Sequence, residues 1–150
     1  MRATWLAAGA VFFAAACGGG DKPAADTTAA AAPAAPAAAG TTHEVQMTMV
    51  GADYRFVPAA ITVKAGDMVK FTNMQNMAHN VQFYADSIPA GAAAVLDANM
   101  PNRMGPLAGN LIAAQGESYT VSFAGAPAGT YAFTCLPHMA TGMSGKITVQ

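Results

Sequence analysis

Near the end of the chain, Cys135, His138 and Met143 fall within nine residues in the spacing C-x2-H-x4-M. Each type alone has an ordinary explanation. Methionine commonly fills core gaps, a lone cysteine is often a small buried hydrophobe, and a lone histidine is usually a surface or structural residue. Together they lie between two strand-like segments, so one strand-to-strand loop can turn all three toward a single point. A second histidine, His79, stands upstream in Asn76-Met-Ala-His79-Asn80-Val81 and begins another such segment. Thiolate and thioether donors with imidazoles select copper among the common metals, and two histidines, one cysteine and a long axial methionine make the blue-copper set. A His2Cys set also suits zinc, but the axial thioether favours copper. His43 has no comparable context and reads as a solvated strand start.

The elements that must position these residues read as strands. Glu44–Val50 and Met68–Thr72 alternate polar and apolar residues, as half-buried strands do. Ala60–Val63, Asn80–Phe83, Ser118–Phe123, Thr130–Thr134 and Lys146–Gln150 are further strand candidates. Lys64-Ala-Gly-Asp67 and Gly125-Ala-Pro-Ala-Gly129 punctuate them as turns. Short strands with regular turns predict an all-β fold, a β-sandwich of about seven or eight strands. Residues 85–115 break the pattern. Ala90–Ala98 could form a short helix, and beyond it Pro101, Pro106 and several glycines rule out a longer one. The stretch is expected to be a long excursion of functional or packing value.

Before this domain the composition changes. Residues 1–16 combine Arg2, an apolar run from Leu6 to Phe13 and small residues before Cys17, the layout of a secretory signal peptide too short to span a membrane. The residues before Cys17 resemble a bacterial lipoprotein box, with Ala14 standing where a large aliphatic is usual. The resemblance implies cleavage at Cys17 and a lipid anchor on its sulfur, against the alternative of a simple secreted protein. From Gly18 to Gly40, an Ala/Pro-rich run with Pro23, Pro33 and Pro36 lacks the apolar residues to offset ordering entropy and reads as a tether. The expected organisation is a signal peptide at 1–16, a linker at 17–42 and one folded domain at 43–150. A net charge of −1 with 10% charged residues leaves no basic stripe for phosphates, so nucleic acid is not an expected partner. Cys17 and Cys135, in such different contexts, are not expected to form a disulfide.

With these segments in place, the chain resembles the small cupredoxins, above all the plastocyanin and pseudoazurin branch. The matching pieces are Asn76-Met-Ala-His79-Asn80-Val81, Gln82–Gly91, the run from Gly129 through Tyr131, Phe133, Cys135, Pro137 and His138, and Gly142-Met143-x-Gly145-Lys146-Ile147-x-Val149. They span about residues 44–150. The resemblance implies a Greek-key sandwich with one type 1 copper ion, His79, Cys135 and His138 as equatorial ligands and Met143 as the axial one. It implies that Asn80 hydrogen-bonds across to the Cys135 loop and that Pro137 helps exclude water beside His138. It also implies a docking patch around the exposed edge of His138, here Leu136, Pro137, Met139, Ala140 and Gly142. The residue before the cysteine is Thr134, not tyrosine, and residues 85–115 hold only Asp86 and Asp97 as acids. An acidic docking face is therefore not expected, and docking should be mainly apolar and only mildly sensitive to salt.

Four functions compete on these readings. The first is a single-electron shuttle between redox proteins outside the cytoplasm, expected to be monomeric and membrane-anchored. The second is copper binding or delivery, suggested by Met47, Met49, Met68, Met74, Met77, Met100, Met104 and Met139, several of which fall on strand alternation and read better as core. The third is a copper enzyme, which needs further histidines where only His43 remains. The fourth is a metal-free binding module, which would make the ligand spacing a coincidence.

Overall fold

The computed structural model describes residues 40–150. The expectations for the signal peptide, Cys17 and most of the linker lie outside the described residues. Among the described residues, no helix is long and apolar enough to cross a membrane.

Among the described residues, eight strands form two four-stranded sheets. In chain order they are β1 (Thr42–Val50), β2 (Asp53–Val57), β3 (Ala60–Val63), β4 (Met68–Asn73), β5 (Gln82–Phe83), β6 (Ser118–Ser122), β7 (Gly129–Thr134) and β8 (Ser144–Val149). One sheet runs β2-β1-β4-β6 and the other β3-β8-β7-β5. The β1–β4 and β3–β8 pairs are parallel, and the other neighbours are antiparallel. The chain thus crosses between sheets rather than meandering within one, as in a Greek-key sandwich.

Side-chain alternation explains why the two sheets face each other. Val45 and Met47 of β1, Val69 and Phe71 of β4, Tyr119 and Val121 of β6, Tyr131 and Phe133 of β7 and Ile147 and Val149 of β8 are all buried. Phe56, Phe71, Phe83 and Phe133 meet edge to face, with Phe56 and Phe133 centroids 4.8 Å apart. Such pairs contribute about 0.5–1.5 kcal/mol each beyond burial. Tyr131 is buried too, and its hydroxyl donates to Pro127 O at 2.6 Å, so its polar end is satisfied.

Three sequence expectations need adjustment. β2 was not anticipated: it is five residues long and stops before Pro58, but it forms a hairpin with β1 around Gly51-Ala52, with Gly51 at φ 64°. The strand expected from Asn80 begins only at Gln82. His43 is not a solvated strand start. Its Nε2 lies 2.8 Å from Asp67 Oδ2, because the Lys64–Asp67 turn brings that carboxylate under β1. Asp67 also accepts the N–H groups of Thr41 and Lys64, and the Lys64 bond, then His43, hold its pKa below the ordinary value. Between β5 and β6, the helix α1 (Ala92–Asn99) follows Gly91 and buries Ala92 and Leu96 against the sandwich.

Candidate metal centre

The loop joining β7 to β8 holds Cys135, His138 and Met143. Leu136–Thr141 forms a 3₁₀ helix with Pro137 in its first turn, and Gly142 closes it in the left-handed region at φ 76°. Backbone bonds fold this short run into a ring. His138 N–H donates to Cys135 O at 3.1 Å, Met143 N–H to His138 O at 3.2 Å, and Cys135 N–H to Met143 O at 3.0 Å. The Thr134 hydroxyl donates to the same Met143 oxygen at 2.9 Å, which occupies a buried threonine directly before the cysteine.

His79 arrives from the other direction. It lies just before β5 and exchanges two backbone hydrogen bonds with Ile112, both 2.9 Å. The excursion after α1 therefore has a definite role: it returns along the His79 segment and fixes its backbone. Asn80 couples this segment to the loop, its Oδ1 accepting Leu136 N–H at 2.8 Å.

The result is a buried cluster. His79 Nδ1 and His138 Nδ1 each lie 3.5 Å from Cys135 Sγ, and the ligating atoms of the three residues are all within 4.8 Å of one another. Nitrogen and sulfur donors at about 2.0–2.3 Å from one ion stand roughly 3.5–3.8 Å apart, so this spacing fits a single shared ion. Met143 is also buried. Among the described residues, His79 Nε2 is a buried nitrogen with no hydrogen-bond partner, and the bridge to Ile112 fixes this residue's backbone.

Burial, with the neighbouring His138 adding to it, pushes the His79 pKa down to about 4. Burial lowers His138 as well. The Cys135 thiol moves the other way, raised by burial against smaller opposing effects from backbone groups at Asn80 and His138. Without an ion the cluster is uncharged near neutral pH: two neutral imidazoles and a thiol. A soft cation entering it displaces one proton, from sulfur.

The remaining expected residues fall around this core. Leu136, Pro137, Met139, Ala140 and Gly142 are exposed, while His138 between them is only 9% exposed. Of the other methionines, Met47 and Met100 are core, whereas Met49, Met74, Met77, Met104 and Met139 are exposed. Sequence reasoning missed Tyr54. Its ring stacks on His138 with centroids 4.0 Å apart and meets His79 edge-on at 5.6 Å. It also missed Arg55, whose Nη1 donates to Gly142 O at 3.1 Å. The alternation of Tyr54 and Phe56 was the available signal.

Over residues 43–150 the chain matches the family described as copper binding proteins, plastocyanin/azurin family. It is similar to plastocyanin of Rumex obtusifolius, 39% identical over 95 residues that cover 63% of this chain and 87% of that protein. It is also similar to the solved structure of oxidised plastocyanin from Dryopteris crassirhizoma, with TM-score 0.55, 30% identity and coverage of 72% and 100% of the two chains. Pseudoazurin from Methylobacterium extorquens AM1 superposes with TM-score 0.50 at 25% identity, covering 72% of this chain and 74% of that one.

Proposed function

Because the chain belongs to the plastocyanin/azurin family of copper-binding proteins, we propose that His79, Cys135 and His138 would hold its copper together with Met143. The protein is a blue-copper electron carrier and not an enzyme. The observation that carries the ligand assignment is the buried convergence of His79 Nδ1, His138 Nδ1 and Cys135 Sγ, two nitrogens each 3.5 Å from one sulfur.

Copper, when bound, supplies a one-electron couple between its +1 and +2 states. The chain's own residues supply everything else. Cys135 gives up its proton and offers a thiolate. His79 and His138 are neutral beforehand, so both imidazoles are ready to donate. Asn80 holds the loop to the His79 segment, and the hydrogen-bonded ring from Cys135 to Met143 limits how far the donors can move when the charge changes. Small movement keeps the barrier to electron transfer low. Pro137 shields His138 from water. Leu136, Met139, Ala140 and Gly142 form with it an apolar face for donor and acceptor proteins, close to the near-buried His138 ring.

The same reading places a monomeric carrier outside the cytoplasm. The leader at residues 1–16 directs export, Cys17 carries the lipid anchor, and the Ala/Pro-rich tether gives the domain reach from a membrane. The ligand assignment is tested on the purified full-length protein loaded with Cu(II). The expected result is an intense thiolate-to-copper visible band and a narrow copper hyperfine splitting, both lost in Cys135→Ser. A pale, tetragonal copper spectrum in the unsubstituted protein would refute it.

A further inference from the structure

Strand β2 belongs to the sheet opposite the ligand loop, yet it touches that loop at two points. The Tyr54 ring lies against the face of His138, with centroids 4.0 Å apart and planes 30° from parallel. One residue on, Arg55 donates from Nη1 to Gly142 O at 3.1 Å and from Nη2 to Asp53 Oδ2 at 2.9 Å. Gly142 immediately precedes Met143 and sits in the left-handed region that ends the 3₁₀ helix. The two contacts therefore grip the loop beside two different donors.

The geometry points to β2 as a clamp, in which Tyr54 positions the His138 ring and Arg55 positions the Gly142–Met143 peptide. The inference rests on the ligand reading above. Its physical basis is the loop's own weakness. His138 is held within the loop by backbone bonds and by the Thr141 hydroxyl, which donates to its O at 2.9 Å, but among the described residues its ring has no side-chain hydrogen-bond partner besides Cys135 Sγ. It has non-helical backbone angles (φ −118°, ψ 19°) inside the short helix. A stacked ring restrains rotation about its side-chain bonds without competing for Nδ1. A hydrogen bond from Arg55 would be too exposed to contribute much to global stability, but it fixes the orientation of one peptide plane. β2 can resist motion of the loop because Phe56, one residue further, is anchored in the core against Phe71 and Phe133.

The test uses the metal-free and the copper-loaded full-length protein. In the metal-free protein, His138 ring protons should show the upfield displacement of a nucleus over an aromatic face. An aromatic contact of this kind corresponds to about a 2- to 12-fold change in population. In Tyr54→Leu, relaxation dispersion at the His138 ring should reveal a displaced state enriched by that factor, and Tyr54→Phe should restore the original behaviour. In Arg55→Ala, amide exchange at Met143 should accelerate by about 2- to 12-fold, the effect of one hydrogen bond, with core amides such as Phe133 unchanged. With copper bound, Tyr54→Leu should broaden the copper hyperfine lines and slow electron self-exchange, and Tyr54→Phe should not. The absence of an upfield displacement in the unsubstituted protein would overturn the clamp without any variant having to fold. Unaltered His138 dynamics in folded Tyr54→Leu, or failure of Phe to restore them, would overturn it as well. Failure of the ligand reading shows separately, as a missing blue band in the unsubstituted protein.

Discussion

At Cys135 the side chain answers two opposed demands. Burial among apolar neighbours raises the thiol pKa and keeps the free sulfur protonated, while ligation requires the thiolate. His79 has no such conflict: its pKa of about 4 leaves it neutral above that pH, which is the form that donates to a metal. These two states set the sign of the pH dependence. Copper uptake releases the one sulfur proton near neutrality, so apparent affinity should rise about tenfold per pH unit between roughly pH 7 and 8. At lower pH, protonation of the two imidazoles, His79 at about pH 4, should steepen the dependence further. Competition titration against a chelator of known proton linkage measures the slope. A flat profile would mean that sulfur is already ionised in the metal-free protein.

Among the elements, the β7–β8 hairpin bears the loop and sets its entry and exit. Phe133 and Gly145 are directly paired, two residues before Cys135 and two after Met143. A Cβ added at Gly145 would stand 2.6 Å from Phe133 Cζ and 2.7 Å from Ala59 O, neither of which can retreat from the core and the β3 edge. Gly145→Ala should therefore cost about 1–3 kcal/mol by overpacking, read as a lower denaturant midpoint. The same variant should perturb the visible spectrum, because the displaced strands carry the loop. β2 acts at this scale too, since a strand of one sheet grips the loop of the other.

For the whole molecule, the sandwich places every proposed donor at one end by joining two separate stretches, residues 79–80 and 135–143, through the Asn80–Leu136 bond. The excursion after α1 completes that end through the His79–Ile112 bridge. Nothing in this arrangement requires a membrane, so the proposed anchor at Cys17 is separable from the redox centre. In a bacterial host, Cys17→Ser should shift the protein from the membrane to the soluble fraction while leaving its blue band unchanged. Retention on the membrane would exclude lipid at Cys17 as the anchor.

The sequence by itself determined the donor types, their spacing within the final loop and most of the strands. Those are local properties: alternation over five or six residues marks a strand, and three donors within nine residues must share a loop. The helix near Ala90–Ala98 and the pairing of Asn80 with the loop were legible as well, the first from local composition and the second through family resemblance. Tertiary structure alone decided what lies across each donor. Tyr54 is 84 residues from His138 and Ile112 is 33 from His79, and no periodicity links such pairs. The same holds for His43, whose buried partner Asp67 comes from the turn that leads into the neighbouring strand. Strand partners are chosen by how two sheets bury their apolar faces together, a choice made by the whole chain at once. A five-residue strand followed by proline carries too little pattern of its own to reveal that it covers the metal site.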